Sequence, residues 1–388
     1  MKQYIKTYEQ VVNKFTYPQI INVIKDIFKK HGYKTYLVGG CVRDFINGDT
    51  PKDFDIATNA KPDKIIELLN PFFRLNLQGE KFGVVVAYHK TVPEGIEIAT
   101  FRQDVTKGRN PDVSFDVDID GDVTRRDLTY NGLFYDLDTK KVVDLVGGLD
   151  DLKNKITRMI GNPQERIEED YLRILRVLRF AVRFDHQIDS LTYMAICNNI
   201  KGLDTISKER IYDEFVKTIE SKNANLLRYF DLLEKTKLGT VMFPKLHLDY
   251  DGVKRAIPSK NIVLILANFL KLNNYKNVEK VLKQLKYPSY IASQVSFLIS
   301  LWEFNVNNLI DYDRAMKQNK IERSLINDYI ELNKTYIPNT KMLSKLPKWF
   351  IKTNGDDVAL ELGLDLKKDG VIIGKEIKKR EIENYEKL

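Results

Sequence analysis

Two aspartates separated by one residue, Asp53 and Asp55, are the first groups in this 388-residue chain whose spacing suggests chemistry. In an extended segment, residues two apart project from the same face. Such a pair can bind divalent metal beside a nucleotide triphosphate. Upstream, Gly39 and Gly40 form a turn where backbone can approach phosphate closely, and Arg43 follows on a segment whose helical start could hold an anion. A third acid, Glu97, lies between apolar neighbours in residues 95–102, and the apolar run 82–88 is expected to pair with it as a hairpin. Three acids on neighbouring strands repel one another, a conflict that bound Mg²⁺ relieves. Alone, a Gly-Gly or an Asp-x-Asp carries little weight, because surface turns and strands produce both. Arg43 alone reads equally well as a salt-bridge partner.

These residues need particular elements to position them. Thr35 to Val38 is β-prone and runs into the Gly39–Gly40 turn, and residues 41–47 fit a short helix stopped by Gly48. Pro51 starts an extended segment in which Asp53 and Asp55 share one side while Phe54 and Ile56 face the core. Beyond Gly161, Asn162 as N-cap, Pro163 at the first position and Glu165 at the third begin a helix. Ile167, Tyr171, Leu175, Leu178 and Val182 form its buried stripe. Asp170, Arg173, Arg176, Arg179 and Arg183 run along another side. One acid against four arginines, with no lysine, suits planar two-pronged hydrogen bonding; the alternative is a solvated, salt-bridged face. Residues 125–131 add Arg125, Arg126, Asp127, Thr129 and Asn131. An acid there can accept from a ribose hydroxyl; the alternative is a helix start, with Asp127 capping and Thr129 facing solvent.

In order and spacing, residues 37–58, 125–131, 169–173 and 209–210 resemble the successive motifs of the class II tRNA nucleotidyltransferase and bacterial poly(A) polymerase family. The resemblance covers roughly residues 20–220. It implies an α+β fold, a polymerase-β-like nucleotidyltransferase head with a mixed sheet, followed by an all-helical neck, body and tail. It implies that Asp53 and Asp55 hold catalytic Mg²⁺, that Glu97 is the third strand carboxylate, and that Gly39, Gly40 and Arg43 contact the triphosphate. Arg126, Asp127 and Asn131 would select ribonucleotides. Asp170 would accept from the exocyclic amine of cytosine or adenine, Arg173 would donate to the ring, and Arg176 and Arg179 would lie near the triphosphate. The implied activity is template-independent addition of CCA to the tRNA 3′ end from CTP and ATP. Residues 79–86 look like the tRNA nucleotidyltransferase form, and residues 103–124 correspond to the family's flexible loop, important for adding A. Alternatives are a poly(A) polymerase, an enzyme adding only CC or only A, and a catalytically silent RNA-binding protein on the same scaffold. The intact Asp53, Asp55, Glu97, Asp170 and Arg173 favour the enzyme.

The wider composition fits this frame. We expect a polar lead-in (1–19), a catalytic head (20–150), a helical neck (151–222) and a helical body and tail (223–388) that binds the acceptor arm and 3′ end of tRNA. Lysine and arginine total 62 against 54 acids, a net charge of +8 that favours a polyanionic partner. Two cysteines, Cys41 and Cys197, show neither metal spacing nor a disulfide framework, which points to a reducing cytoplasm. The N-terminus lacks a signal-peptide core, and the longest apolar runs, such as 262–270, are too short to span a membrane. The four histidines form no cluster, so a fused phosphohydrolase domain is not expected. The sequence leaves the oligomeric state open.

Overall fold

The computed structural model describes residues 15–106, 112–336 and 340–388. Contacts divide the chain into two units, Met1–Thr205 and Ile206–Leu388.

The first unit opens with α1 (Gln19–Lys30), whose Ile21, Ile24 and Phe28 are buried on one face. The stretch before it is not purely polar: Phe15 is buried, and its ring stacks on Phe45 with centroids 4.1 Å apart. Strand β1 (Thr35–Val38) is buried throughout and turns into α2 (Gly40–Ile46). Gly39 makes that turn at φ 67°, a left-handed conformation that disfavours a side chain. Then come β2 (Asp55–Thr58), α3 (Pro62–Leu69), β3 (Arg74–Asn76), and the predicted hairpin, β4 (Val84–His89) with β5 (Val92–Thr100). The segment after β5 forms a small hairpin, β6 (Gln103–Asp104) with β7 (Val113–Ser114), and then α4 (Ile119–Thr124). Asp118 caps α4 by accepting from the Asp120 and Gly121 amides. Residues 107–111, within the expected flexible loop, lie outside the described residues. Strands β8 (Phe134–Asp136) and β9 (Val142–Val143) complete a seven-stranded mixed sheet in the order β3-β4-β5-β2-β1-β8-β9, in which only β2 and β5 run parallel.

Beyond the sheet lie α5 (Gly148–Lys153), β10 (Ile156–Thr157), α6 (Pro163–Glu169), α7 (Leu172–Arg183), β11 (Gln187–Ile188) and α8 (Ser190–Asn199), with β10 and β11 paired in parallel. Asn162 caps α6 as predicted, accepting from the Gln164 amide. The expected single helix is nevertheless two. Asp170 adopts an extended conformation (φ −151°, ψ 103°) between them, and its carboxylate accepts from the Leu172 amide at 3.1 Å to start α7. Ile167, Leu175, Leu178 and Val182 are buried as expected, while Tyr171 is half-buried.

The second unit is helical from Lys208–Ile219 to Gly370–Glu386 among its described residues. Its core is rich in aromatic rings, including Phe215 with Phe243 (centroids 5.6 Å apart) and Phe230 with Phe269 (5.1 Å). Edge-to-face pairs of this kind add to the burial of the rings themselves.

Candidate active site

Parallel pairing of β2 with β5 sets Asp55 directly opposite Glu97. Residues so paired share a face of the sheet. The same face carries Ala57, Tyr36, Val38 and Phe134, part of an apolar cluster with Phe101, Val123 and Ile160. Half-buried Asp55 therefore borders apolar packing, where charge is poorly solvated, while Asp53 and Glu97 are exposed. Burial pushes the Asp55 carboxyl up to about 6; Glu97 and Asp53 add to the rise, and Arg126 opposes it. The predicted strand is shorter than expected. It starts only at Asp55, so Asp53 is exposed in the lead-in and Phe54 is half-buried rather than core.

Among the described residues, no group of three or more His, Cys, Asp or Glu side chains is arranged as a ready metal cage. The acids nonetheless suit a hard divalent cation. They are oxygen donors in mutual repulsion, and small ions of this kind take one or two carboxylates and complete their shell with water and substrate phosphate.

Arg126 stands near this corner. Its Nη2 donates to Asp122 Oδ2 at 2.9 Å, and its guanidinium lies 4.9 Å from the Phe134 ring centre. A side chain at Gly39 would stand 3.4 Å from Arg126 Nη1, so the glycine turn and the arginine are close neighbours. Asp122 is fully buried and also accepts from Arg125 Nε at 2.8 Å. Burial alone would raise its pKa; Arg126 and Arg125 outweigh that and hold it low. Sequence reasoning missed Asp122. Its only signal was its position three and four residues before two arginines, within an acid-rich stretch.

Asp127 lies at the centre of a partly buried network. Its Oδ1 accepts from the Leu128 amide (2.8 Å) and Asn131 Nδ2 (2.9 Å), and its Oδ2 from Arg176 Nε (2.7 Å) and Nη2 (2.6 Å). Asn131 Oδ1 accepts in turn from Arg43 Nη1 at 2.5 Å. Arg43 is buried, pairs with Asp44 and stands 5.0 Å from the ring centres of both Phe180 and Phe184. Arg183 closes the network on Asp44 at 3.0 Å, and Arg179 packs 4.2 Å from the Phe180 ring centre. Of the two readings of Arg43, this geometry matches the salt-bridge partner. Thr129 does not face solvent: it is buried and donates to Asp151 at 2.7 Å.

Asp170 and Arg173 line a cleft of about 520 Å³, together with Arg102, Asp104, Arg125, Arg166 and Glu169 among others. Arg173 Nη1 donates to the Arg166 carbonyl and to Glu169, both at 2.6 Å, so the side chain is aimed before any ligand arrives. Arg166 Nη2 donates to the carbonyls of Arg125 (2.6 Å) and Arg126 (3.0 Å), tying α6 to the 125–127 segment. That segment connects three groupings. Arg125 lines the cleft, Arg126 stands by the strand acids, and Asp127 anchors Arg176 on α7. Asp53, Asp55, Glu97, Arg126 and Gly39 thus gather at the sheet, and Asp170 and Arg173 at the cleft. Arg43, Asp127, Asn131 and Arg176 form a third grouping.

A mixed sheet with acids facing one another on neighbouring strands, and an arginine-lined cleft in the same unit, fit a nucleotidyltransferase head. Residues 35–158 match the family described as "Poly A polymerase head domain", and residues 185–249 match "Probable RNA and SrmB- binding site of polymerase A". The mitochondrial CCA tRNA nucleotidyltransferase 1 of Homo sapiens is 32% identical over 97% of this chain and 88% of its own length. Poly(A) polymerase I of Salmonella typhi is 36% identical over 58% of this chain and 50% of its own. The Thermotoga maritima CCA-adding enzyme, solved in complex with tRNA, superposes with a TM-score of 0.69 at 22% identity, covering 97% of this chain and 94% of that one. This chain belongs to the family of CCA-adding tRNA nucleotidyltransferases and bacterial poly(A) polymerases.

Proposed function

We propose that this protein adds C, C and A in turn to the 3′ end of tRNA, using CTP and ATP. In each step the terminal RNA hydroxyl oxygen attacks the α-phosphorus of the nucleotide. The bond to the β-phosphate oxygen breaks, pyrophosphate leaves, and the hydroxyl proton is lost. Asp53 and Asp55 would hold Mg²⁺, with Glu97 beside them, and the bound ions would acidify the attacking hydroxyl and neutralise the leaving group. Arg126, fixed by Asp122, supplies positive charge beside these acids. Gly39 and Gly40 allow the backbone to approach the triphosphate. Asn131 and Asp127 hold Arg43, Arg176 and the glycine turn in register, and Arg179 completes the cationic side of α7.

Base choice would rest on Asp170 and Arg173. Cytosine and adenine each present an exocyclic amine beside a ring acceptor, which an acid next to a guanidinium matches. Uracil presents a carbonyl in place of the amine, and Asp170 would repel it. The reading is carried by Asp55 opposite Glu97 in the same compact unit as the cleft lined by Asp170 and Arg173. The second, all-helical unit would hold the acceptor arm. No described helix is long and apolar enough to cross a membrane, and Cys41 and Cys197 are both free, in keeping with a reducing, cytoplasmic setting.

The test is incorporation into tRNA transcripts ending before CCA, after CC, or complete, with each nucleotide and Mg²⁺. Expected products are C, C, A and then a stop. Long A tails would favour the poly(A) polymerase reading, which the half-length match supports. No incorporation by the wild-type chain would refute both.

A further inference from the structure

Phe180 is the only aromatic residue of α7, and Phe184 follows just past the end of that helix. Leu175, Leu178 and Val182 already supply the buried stripe. Phe180 stands four residues after Arg176 and three before Arg183, a spacing that sets it among the arginines on the helix surface. Three guanidiniums gather at its ring: Arg179 lies 4.2 Å from the centroid, Arg43 5.0 Å and Arg176 5.6 Å. All three fall within the range of about 6 Å over which a ring face attracts a cation. Phe184 adds a nearly parallel ring, 7° off and 6.1 Å away between centroids, with Arg43 at 5.0 Å and Arg183 at 4.9 Å from it. The buried Tyr130 packs edge-on against both rings.

Cations packed this closely repel one another. Burial disfavours the charged form of Arg43 and so does Arg183, while Asp44 opposes both. A leucine at position 180 would fill the space but offer these charges nothing. A carboxylate would attract them, yet it takes hydrogen-bond donors from each guanidinium it holds. A ring face attracts the same cation through its quadrupole and leaves those donors to a phosphate. It also restricts a long side chain that would otherwise lose rotamer freedom when a ligand binds. We infer that Phe180 is a positioning residue: its ring holds Arg176 and Arg179 in place for the triphosphate of the incoming nucleotide. The inference rests on the nucleotidyltransferase reading above, which puts the triphosphate beside these arginines, and adds an uncharged residue to the groups that act on it.

The test replaces Phe180 in the full chain with mono-, di- and trifluorinated phenylalanine. Fluorine keeps the shape of the ring, and so its packing, while draining negative charge from its face in steps. Wild-type incorporation of CTP into a tRNA transcript ending before CCA establishes the parent reading separately. Dissociation constants for CTP and CMP are then measured for each protein without RNA. Trifluorination should weaken CTP binding by roughly 3–30-fold, with the intermediate rings falling in order between, and should leave CMP binding nearly unchanged. Phe180→Leu, apolar but without a ring face, should lose at least as much CTP affinity. A ring that serves only as packing would show no dependence on fluorine. Equal CTP affinity across the fluorinated series, or equal loss for CTP and CMP, would overturn the inference, and both readouts stand even if the leucine variant does not fold.

Discussion

Asp55 and Asp127 are both carboxylates sunk in the first unit, and their surroundings treat them in opposite ways. Asp55 faces a second acid across the strand pair, and burial pushes it up to about 6. Asp127 is more deeply enclosed, yet Arg176 and Asn131 outweigh its burial and hold it far below the usual carboxylate range. The difference separates two uses of a buried charge. A carboxylate whose lone pairs are all taken holds the architecture; one left in conflict is reserved for a ligand that brings the missing positive charge.

Mutation should separate the two most sharply. Asp127→Ala removes an acceptor from both Arg176 and Asn131 and is expected to cost about 2–3 kcal/mol of stability, less than a fully buried ion pair because solvent screens the 35%-exposed Arg176. Asp55→Asn removes a repelled charge while keeping the shape. Without metal it should stabilise the chain by about 1–3 kcal/mol, since each pKa unit is worth about 1.4 kcal/mol. Denaturant unfolding of both variants in chelator checks the opposite signs, and a loss of stability in both would break the comparison.

Acidity should sharpen it. Asp55 has a raised folded pKa, so in chelator its contribution makes the wild-type chain less stable as pH rises from about 4 through 6, an effect absent in Asp55→Asn. Asp127 has a depressed pKa, so its contribution is intact above about 4 and is lost as pH falls below that, an effect absent in Asp127→Asn. Stability measured against pH for wild type and the two variants tests both windows.

The smallest expected effect lies away from the site. Among the described residues, the non-glycine positions with positive φ are Asp185 and seven lysines, several just past helix ends. Lys237, Lys286 and Lys320 follow the helices Leu226–Lys235, Tyr275–Gln284 and Leu309–Gln318. Glycine adopts this conformation without the clash of a Cβ. Each Lys→Gly change should raise stability by up to about 1 kcal/mol, read by the same unfolding assay, with nucleotide incorporation unchanged.

How much of this was legible in the sequence follows from the range of the interactions. The strand before Gly39, the short helix after it, the β4–β5 hairpin and the Asn162 cap are set by neighbours in sequence, and periodicity reveals them. The break at Asp170 was not visible, because the apolar stripe of Ile167, Leu175 and Leu178 runs through it as if the helix continued. What accompanies the break is long-range: Arg166 and Arg173 both reach the carbonyl of Arg125. Likewise, nothing near Asp127 in the sequence pointed to its partner Arg176, 49 positions away. The hydrogen bond that Arg43 gives to Asn131, 88 positions on, was equally invisible. Residue types announced the chemistry, while the pairing of charges decided which of them stay open to a ligand.

The central claim is that the acids facing one another across β2 and β5 are kept in conflict for a divalent cation. Binding of Mn²⁺, standing in for Mg²⁺, can be followed by electron paramagnetic resonance in the presence of CTP and without RNA, which removes turnover from the measurement. The account predicts saturable binding by the wild-type chain and its loss in Asp55→Ala, with the variant still folded. Equal binding by the two proteins would contradict it.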